Sequence, residues 1–171
     1  DEYLMVMAHW DHLGISSKGE IYNGAVDNAT GVAMVMSLAD YFSKKDTERS
    51  IIFIGLTAEE AGLLGSAYFA ENLPFKASQM IAGLNFDAYF AFGKAKDIQI
   101  VGYGASELED LMSASAMKKN KYLSPDWQPE KGLFYRSDHI SFAKIGIPVL
   151  YTDPGIDMID GGKERGVELV N

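Results

Sequence analysis

Cysteine is absent from this 171-residue sequence. That excludes disulfide frameworks, thiolate metal sites, iron–sulfur clusters and thiol nucleophiles. A chain of this length buries enough surface to fold without such staples, so the absence does not fix the compartment. Positive charge is scarce: 15 Lys and Arg stand against 24 Asp and Glu, a formal charge of −9. Nucleic acid and anionic membrane surfaces call for a basic face, so neither is the expected partner. Long apolar runs are missing too, and none approaches the ~18 residues of a membrane span. Histidine is limited to His9, His12 and His139.

What remains is a globular composition, 47% hydrophobic and 12% aromatic. Five short apolar runs stand out: Tyr3–Ala8, Ile51–Leu56, Met80–Phe86, Ile98–Val101 and Ile147–Tyr151. They are too short for helices and too continuous for half-exposed strands, which fits a largely parallel sheet buried on both faces. Helical spacing lies between them: Val32 to Phe42, Leu63 to Tyr68, Leu108 to Ala116, and Ser137 to Lys144. Strands alternating with helices predict an α/β three-layer sandwich, a mainly parallel sheet with helices on both faces. The stretch Lys121 to Arg136 reads as a long loop. Residues 1–171 are expected to form one domain. The abrupt strand at the start and the helix cut in mid-turn at Gly166–Asn171 suggest the core of a larger protein.

The polar residues at the strand ends carry the chemistry. The first strand ends in His9-Trp10-Asp11-His12, the second in Thr57-Ala58-Glu59-Glu60, the third in Asn85-Phe86-Asp87. Asp27 lies just before the first helix. In open α/β sheets the C-terminal edge of the strands is where ligands bind. Singly, each piece has an ordinary structural reading: His and Asp pair, Glu59-Glu60 starts a helix, Asp27-Asn28 caps one. Together they converge five carboxylates with no Lys or Arg beside any of them. Like charges so close need a cation, and one His among carboxylates suits zinc or a similar divalent ion.

These pieces resemble the co-catalytic zinc aminopeptidase family, which includes bacterial leucine aminopeptidases and has glutamate carboxypeptidases and glutaminyl cyclases as relatives. The resemblance rests on Ala8–Gly14, Gly24–Gly31, Thr57–Ser66, Asn85–Asp87, Ser137–Phe142 and Gly146–Leu150, in the family's order. It implies the phosphorylase/hydrolase-like zinc exopeptidase fold and two zinc ions. One ion would be held by His9 and Asp87, the other by Glu60, with Asp27 bridging both. Asp11 would take a hydrogen bond from the second ring nitrogen of His9, and Glu59 would be the general base. Asp138, His139 and Tyr135 would lie near the substrate. The Asp27–Asn28 peptide would be cis. A periplasmic or extracellular station is typical of the family.

One departure shapes the expectation. The family's second metal takes another His from a later segment, and none follows Asp153 here. Glu60 and Asp27 are therefore expected to leave the second site incomplete in this chain. The main reading is a metal-dependent exopeptidase that removes N-terminal residues from peptides. A single-zinc glutaminyl cyclase-like acyltransferase and a metal-free binding or scaffold module of the same fold are the alternatives. Tyr89, Phe134, Tyr135 and Phe142 stand as either a pocket lining or core.

Overall fold

The computed structural model describes residues 1–90 and 92–170. Among them the chain forms β1 (Tyr3–His9), β2 (Gly14–Ile15), β3 (Ile21–Tyr22), α1 (Ala29–Phe42), β4 (Ser50–Leu56), α2 (Leu64–Glu71) and β5 (Met80–Asn85). There follow β6 (Asp97–Val101), α3 (Leu108–Met117), β7 (Tyr122–Pro125), α4 (His139–Ala143), β8 (Val149–Pro154) and α5 (Gly162–Val170). Six strands make one sheet in the order β4-β1-β5-β8-β6-β7, and β2 and β3 make a small separate hairpin. All pairs in the large sheet are parallel except β6 with β8. The sheet is thus mainly parallel, as expected, with one reversal that short apolar runs do not encode.

Alternation along β1 builds both layers. Met5 and Met7 turn to one face, where they pack with Leu56, Ala70 of α2, Phe142 of α4 and Ile147. Val6 and Ala8 turn to the other, against Val35 of α1 and Phe86. Successive strand side chains point to opposite faces, so a strand buried on both sides reads as a continuous apolar run.

The chain path places the site. From β1 it passes through α1 to β4 on one side, then through α2 back to β5 on the other. The winding reverses around β1, and a crevice opens outside the carboxyl ends of strands at such a point.

The expected loop from Lys121 to Arg136 is a correction. It contains β7, paired in parallel with β6, and two short 3₁₀ turns, Pro129–Lys131 and Leu133–Tyr135. A four-residue edge strand with one Leu and a Pro lacks the apolar run that marks the others. It is held partly by Ser124, whose hydroxyl donates to Asp97 Oδ2 at 2.8 Å. Among the described residues, no helix is long and apolar enough to cross a membrane.

Candidate metal centre

Register brings the three strand ends together. His9 is level with Leu56 of β4, so Thr57 to Glu60 leave the sheet beside it. Met7 is level with Asn85 of β5, which puts Asp87 on the other flank. Asp27 arrives from the loop before α1, and Asn28 pins that loop in place. The Asn28 side chain accepts from Gly31 N–H at 3.0 Å and from Ala88 N–H at 3.1 Å, and donates to Phe86 O at 3.0 Å. It thereby caps α1 and fastens it to the end of β5. Gly31 permits this approach, since a β-carbon there would collide with Asn28 Oδ1 and Phe86 O. The Asp27–Asn28 peptide is cis, as the resemblance implies. Ala58 and Ala88, next to Glu59 and Asp87, take φ of 58° and 47°. Such left-handed geometry is costly for alanine and clusters at functional sites.

The resulting cleft has two halves. His9 Nε2 lies 3.0 Å from Asp87 Oδ1 and 3.3 Å from Asp27 Oδ1. His12 Nδ1 lies 2.7 Å from Glu60 Oε1 and 4.0 Å from Asp27 Oδ2. Asp27 therefore presents one oxygen to each histidine. Its Oδ1 is buried and lacks a hydrogen-bond partner. Ligating atoms of His9, Glu59 and Asp87, and of His12, Asp27 and Glu60, form two groups each within 4.8 Å. Imidazole nitrogens facing carboxylate oxygens, with an orphaned acceptor between them, fit a borderline divalent cation such as zinc.

Electrostatics point the same way. Burial acts to lower the His9 pKa, but the neighbouring Asp27 carboxylate, the hydrogen bond to Asp87, and the charges of Asp87 and Glu59 outweigh it and raise it to about 11. Glu59 is pushed up to about 8, first by burial, then by Asp87, with Asp138 and Glu60 adding and His9 opposing. In both groups the converging carboxylates add to the rise.

Asp11 departs from its expected contact. His9 Nδ1 donates to the main-chain oxygen of Asp11 at 3.1 Å, while the carboxylate stands 3.9 Å away. That carboxylate accepts instead from the main-chain N–H of Glu59 at 3.3 Å. A backbone carbonyl two residues on is a common partner for a ring N–H and fixes the same tautomer.

The three residues expected near the substrate separate. Tyr135 is 71% exposed. Asp138 and His139 are fully buried. The His139 ring lies against Phe134 and Tyr151, with centroids 4.9 Å away in each case. Its nitrogens make no hydrogen bond in the fold. Burial lowers it to about 4, against the opposing pull of Asp87 and the Phe134 backbone. Asp138 is raised to about 6 by burial, with Ser66 and His9 pulling it down and Asp87 and Asp11 adding to the rise. Neither side chain reaches the surface.

A cavity of about 220 Å³ adjoins Asp87 and is lined by Phe90, Phe92, Trp127 and Tyr151, with Asp153 at its wall. Of the aromatics singled out from sequence, Phe142 is core and Phe134 packs on His139. His12 is the residue that sequence reading left without a role. Its spacing, three residues beyond His9 in the same strand-end loop, was the available signal.

Residues 1–164 match Peptidase family M28. The chain belongs to that family. Its relatives include a probable zinc metalloprotease of Pyrenophora tritici-repentis, 32% identical over 90 residues, which are 51% of this chain and 20% of the relative. The chain thus spans about a fifth of that protein. Among solved structures, a zinc aminopeptidase from Bacillus subtilis, BSAP, superposes with a TM-score of 0.69 at 22% identity, covering 98% of this chain and 41% of that one. A glutaminyl cyclase of Bacteroides thetaiotaomicron, bound to N-acetylhistamine, gives 0.67 at 19% identity, covering 94% and 62%. At these identities the likeness establishes a shared fold.

Proposed function

We propose that this M28 chain is the catalytic core of a zinc-dependent aminopeptidase. The observation that carries this reading is Asp27, whose two oxygens face His9 and His12 on opposite sides, 3.3 and 4.0 Å away. A carboxylate set between two nitrogen-bearing clusters is what a pair of neighbouring cations requires. A cyclase with one metal has no need of the second cluster. His9, Asp27 and Asp87 would hold one zinc ion, and Asp27 and Glu60 would take part in holding another. Zinc would supply Lewis-acid polarisation of the scissile carbonyl and a lowered pKa for water.

The remaining chemistry belongs to the chain. Glu59 accepts a proton from the attacking water as its oxygen bonds to the carbonyl carbon. As the C–N bond breaks, the same carboxylate returns that proton to the leaving amine. Asp11 positions Glu59 through its main-chain N–H. The aromatic cavity beside Asp87 would receive an apolar side chain, and the acids around it would suit a free α-amino group. A periplasmic or extracellular setting is part of the proposal, on the family resemblance.

The test uses zinc-loaded chain with three peptides: free N-terminus, acetylated N-terminus, and N-terminal glutamine. Release of the first residue from the free peptide alone supports the aminopeptidase. Ammonia release with ring closure of the glutamine peptide would replace it with the cyclase. No turnover on any of the three, with zinc bound, would favour a binding module.

A further inference from the structure

The cavity beside Asp87 combines aromatic walls with acids. Phe90, Phe92, Trp127 and Tyr151 supply its apolar surface, and Gln99, Asp126 and Asp153 line it as well. Strand pairing brings these polar groups together. Gln99 of β6 stands opposite Asp153 of β8 in the antiparallel register, so their side chains share one face of the sheet. Asp126 follows β7, where its main-chain N–H bonds Ile100 O of β6 at 3.2 Å. Its Oδ1 accepts from Gln128 N–H at 2.8 Å. Burial pushes the Asp153 carboxyl up to about 7, with the charges of Asp87 and Asp126 adding to the rise. No Lys or Arg ion pair among the described residues includes Asp153 or Asp126. Lys131 also lines the cavity but is exposed and pairs with neither acid. Gln99 is 2% exposed, and its amide nitrogen is buried without a hydrogen-bond partner. A cavity with apolar walls therefore lacks both a counter-charge for its acids and a partner for its amide.

We propose that Asp153, with Gln99 and Asp126 beside it, selects peptides whose first residue is arginine or lysine. This rests on the aminopeptidase reading above and narrows the side chain received by the cavity to one with an apolar stem and a cationic tip. Long basic side chains bury their methylene stems along apolar surface while the charge sits at the end. The aromatic walls suit the stem, and ring faces also attract a cation. At the tip, N–H groups donate to the Asp153 carboxylate, and such charge-assisted hydrogen bonds are roughly twice as strong as neutral ones. Gln99 joins by rotating its amide, which carries both a donor and an acceptor, so that the oxygen faces the cation. A wholly apolar side chain fills the walls but leaves the acid and the amide unpaired, and pockets with such polar groups reject guests that cannot pair them. A tyrosine hydroxyl would meet both groups but brings no counter-charge to the acids. The formal charge of −9 also draws cationic peptides toward the chain.

The experiment measures kcat/KM of the zinc-loaded chain on 4-nitroanilides of arginine, citrulline, lysine, norleucine and tyrosine, for wild type, D153N and D153E. Citrulline and norleucine keep nearly the shape of arginine and lysine and lack the charge. In wild type, arginine should exceed citrulline, and lysine norleucine, at least about tenfold, the worth of a hydrogen bond to a charged group. D153N should bring both ratios near unity, and D153E should restore part of them. Each ratio is taken within one protein, so a partly unfolded variant does not distort it. Ratios near unity in wild type would overturn the inference and leave the aminopeptidase reading standing. High ratios that persist in D153N would overturn the assignment to Asp153, and a tyrosine rate above that of arginine would overturn the cationic class. No turnover on any substrate, with zinc bound, would remove the aminopeptidase reading by itself. The cavity is then judged by the Trp127 indole N–H resonance, in a chain with two tryptophans, during titration with argininamide and with citrullinamide. A shift with argininamide alone would support the cationic subsite, and an equal response to both, or none, would overturn it.

Discussion

The Asp11 carboxylate accepts the main-chain N–H of Glu59 at 3.3 Å, while the Asp11 main-chain oxygen accepts from His9 Nδ1 at 3.1 Å. One residue thus ties the proposed base to the proposed ligand, by two different groups. Asp11→Ala should therefore leave the His9 bond, because the backbone carbonyl stays, and release the Glu59 segment. The expected result is near-normal affinity for the first zinc and about a tenfold fall in kcat, the worth of a lost hydrogen bond to a charged group. Asp11→Asn, which keeps an acceptor, should recover most of the rate. A loss of the first zinc in Asp11→Ala would show that the carboxylate holds His9 instead.

Glu59→Gln should retain zinc and lose about 10²–10⁴-fold in kcat, since the amide accepts no proton. Elemental analysis beside steady-state kinetics separates this from a ligand. Glu60→Gln should instead release zinc.

Chelation should expose a pH dependence. Glu59 is raised from 4.5 to about 8, Asp153 from 3.8 to about 7, chiefly by burial, and His9 from 6.5 to about 11 by its carboxylate neighbours against the effect of burial. Each raised value means that the folded chain binds more protons than the unfolded chain in that interval, so stability falls as pH rises through it. His139, lowered by burial from 6.5 to about 4, acts in the opposite sense and costs stability as pH falls through that window. The chelated chain should melt progressively lower as pH rises from about 6 to about 9. Saturating zinc should abolish the alkaline decline, because ligands must be deprotonated to bind. Scanning calorimetry across that range, with and without zinc, checks both signs. An increase in melting temperature with pH in the chelated chain would contradict the argument.

Phe142 is fully buried between Met5, Met7 and α2, with its ring centroid 6.2 Å from that of Phe69. Phe142→Ala should cost about 3–5 kcal/mol. Urea denaturation should show a lower midpoint with the slope unchanged. A loss under 1 kcal/mol would mean that α4 collapses onto the sheet.

Much of this protein was legible in its residues. Continuous apolar runs such as Tyr3–Ala8 and Ile51–Leu56 announce strands buried on both faces, because a central strand has no solvent side to fill with polar groups. Acids and imidazole at the ends of those runs mark the functional edge, because parallel strands all finish on the same side. Sequence order alone therefore brought His9, Glu59, Glu60 and Asp87 to one cleft. Other features needed the third dimension. The reversed pairing of β6 with β8 and the edge strand β7 depend on backbone hydrogen bonds between distant segments, which side-chain pattern does not record. The exchange at Asp11, where the carbonyl takes the His9 bond and the carboxylate takes Glu59, turns on differences of under an ångström between atoms of one residue. His12 meets Glu60 only because the chain bends over Gly24 at the end of β1. A contact between residues 48 apart is set by how the strands lie side by side, and no local spacing contains it.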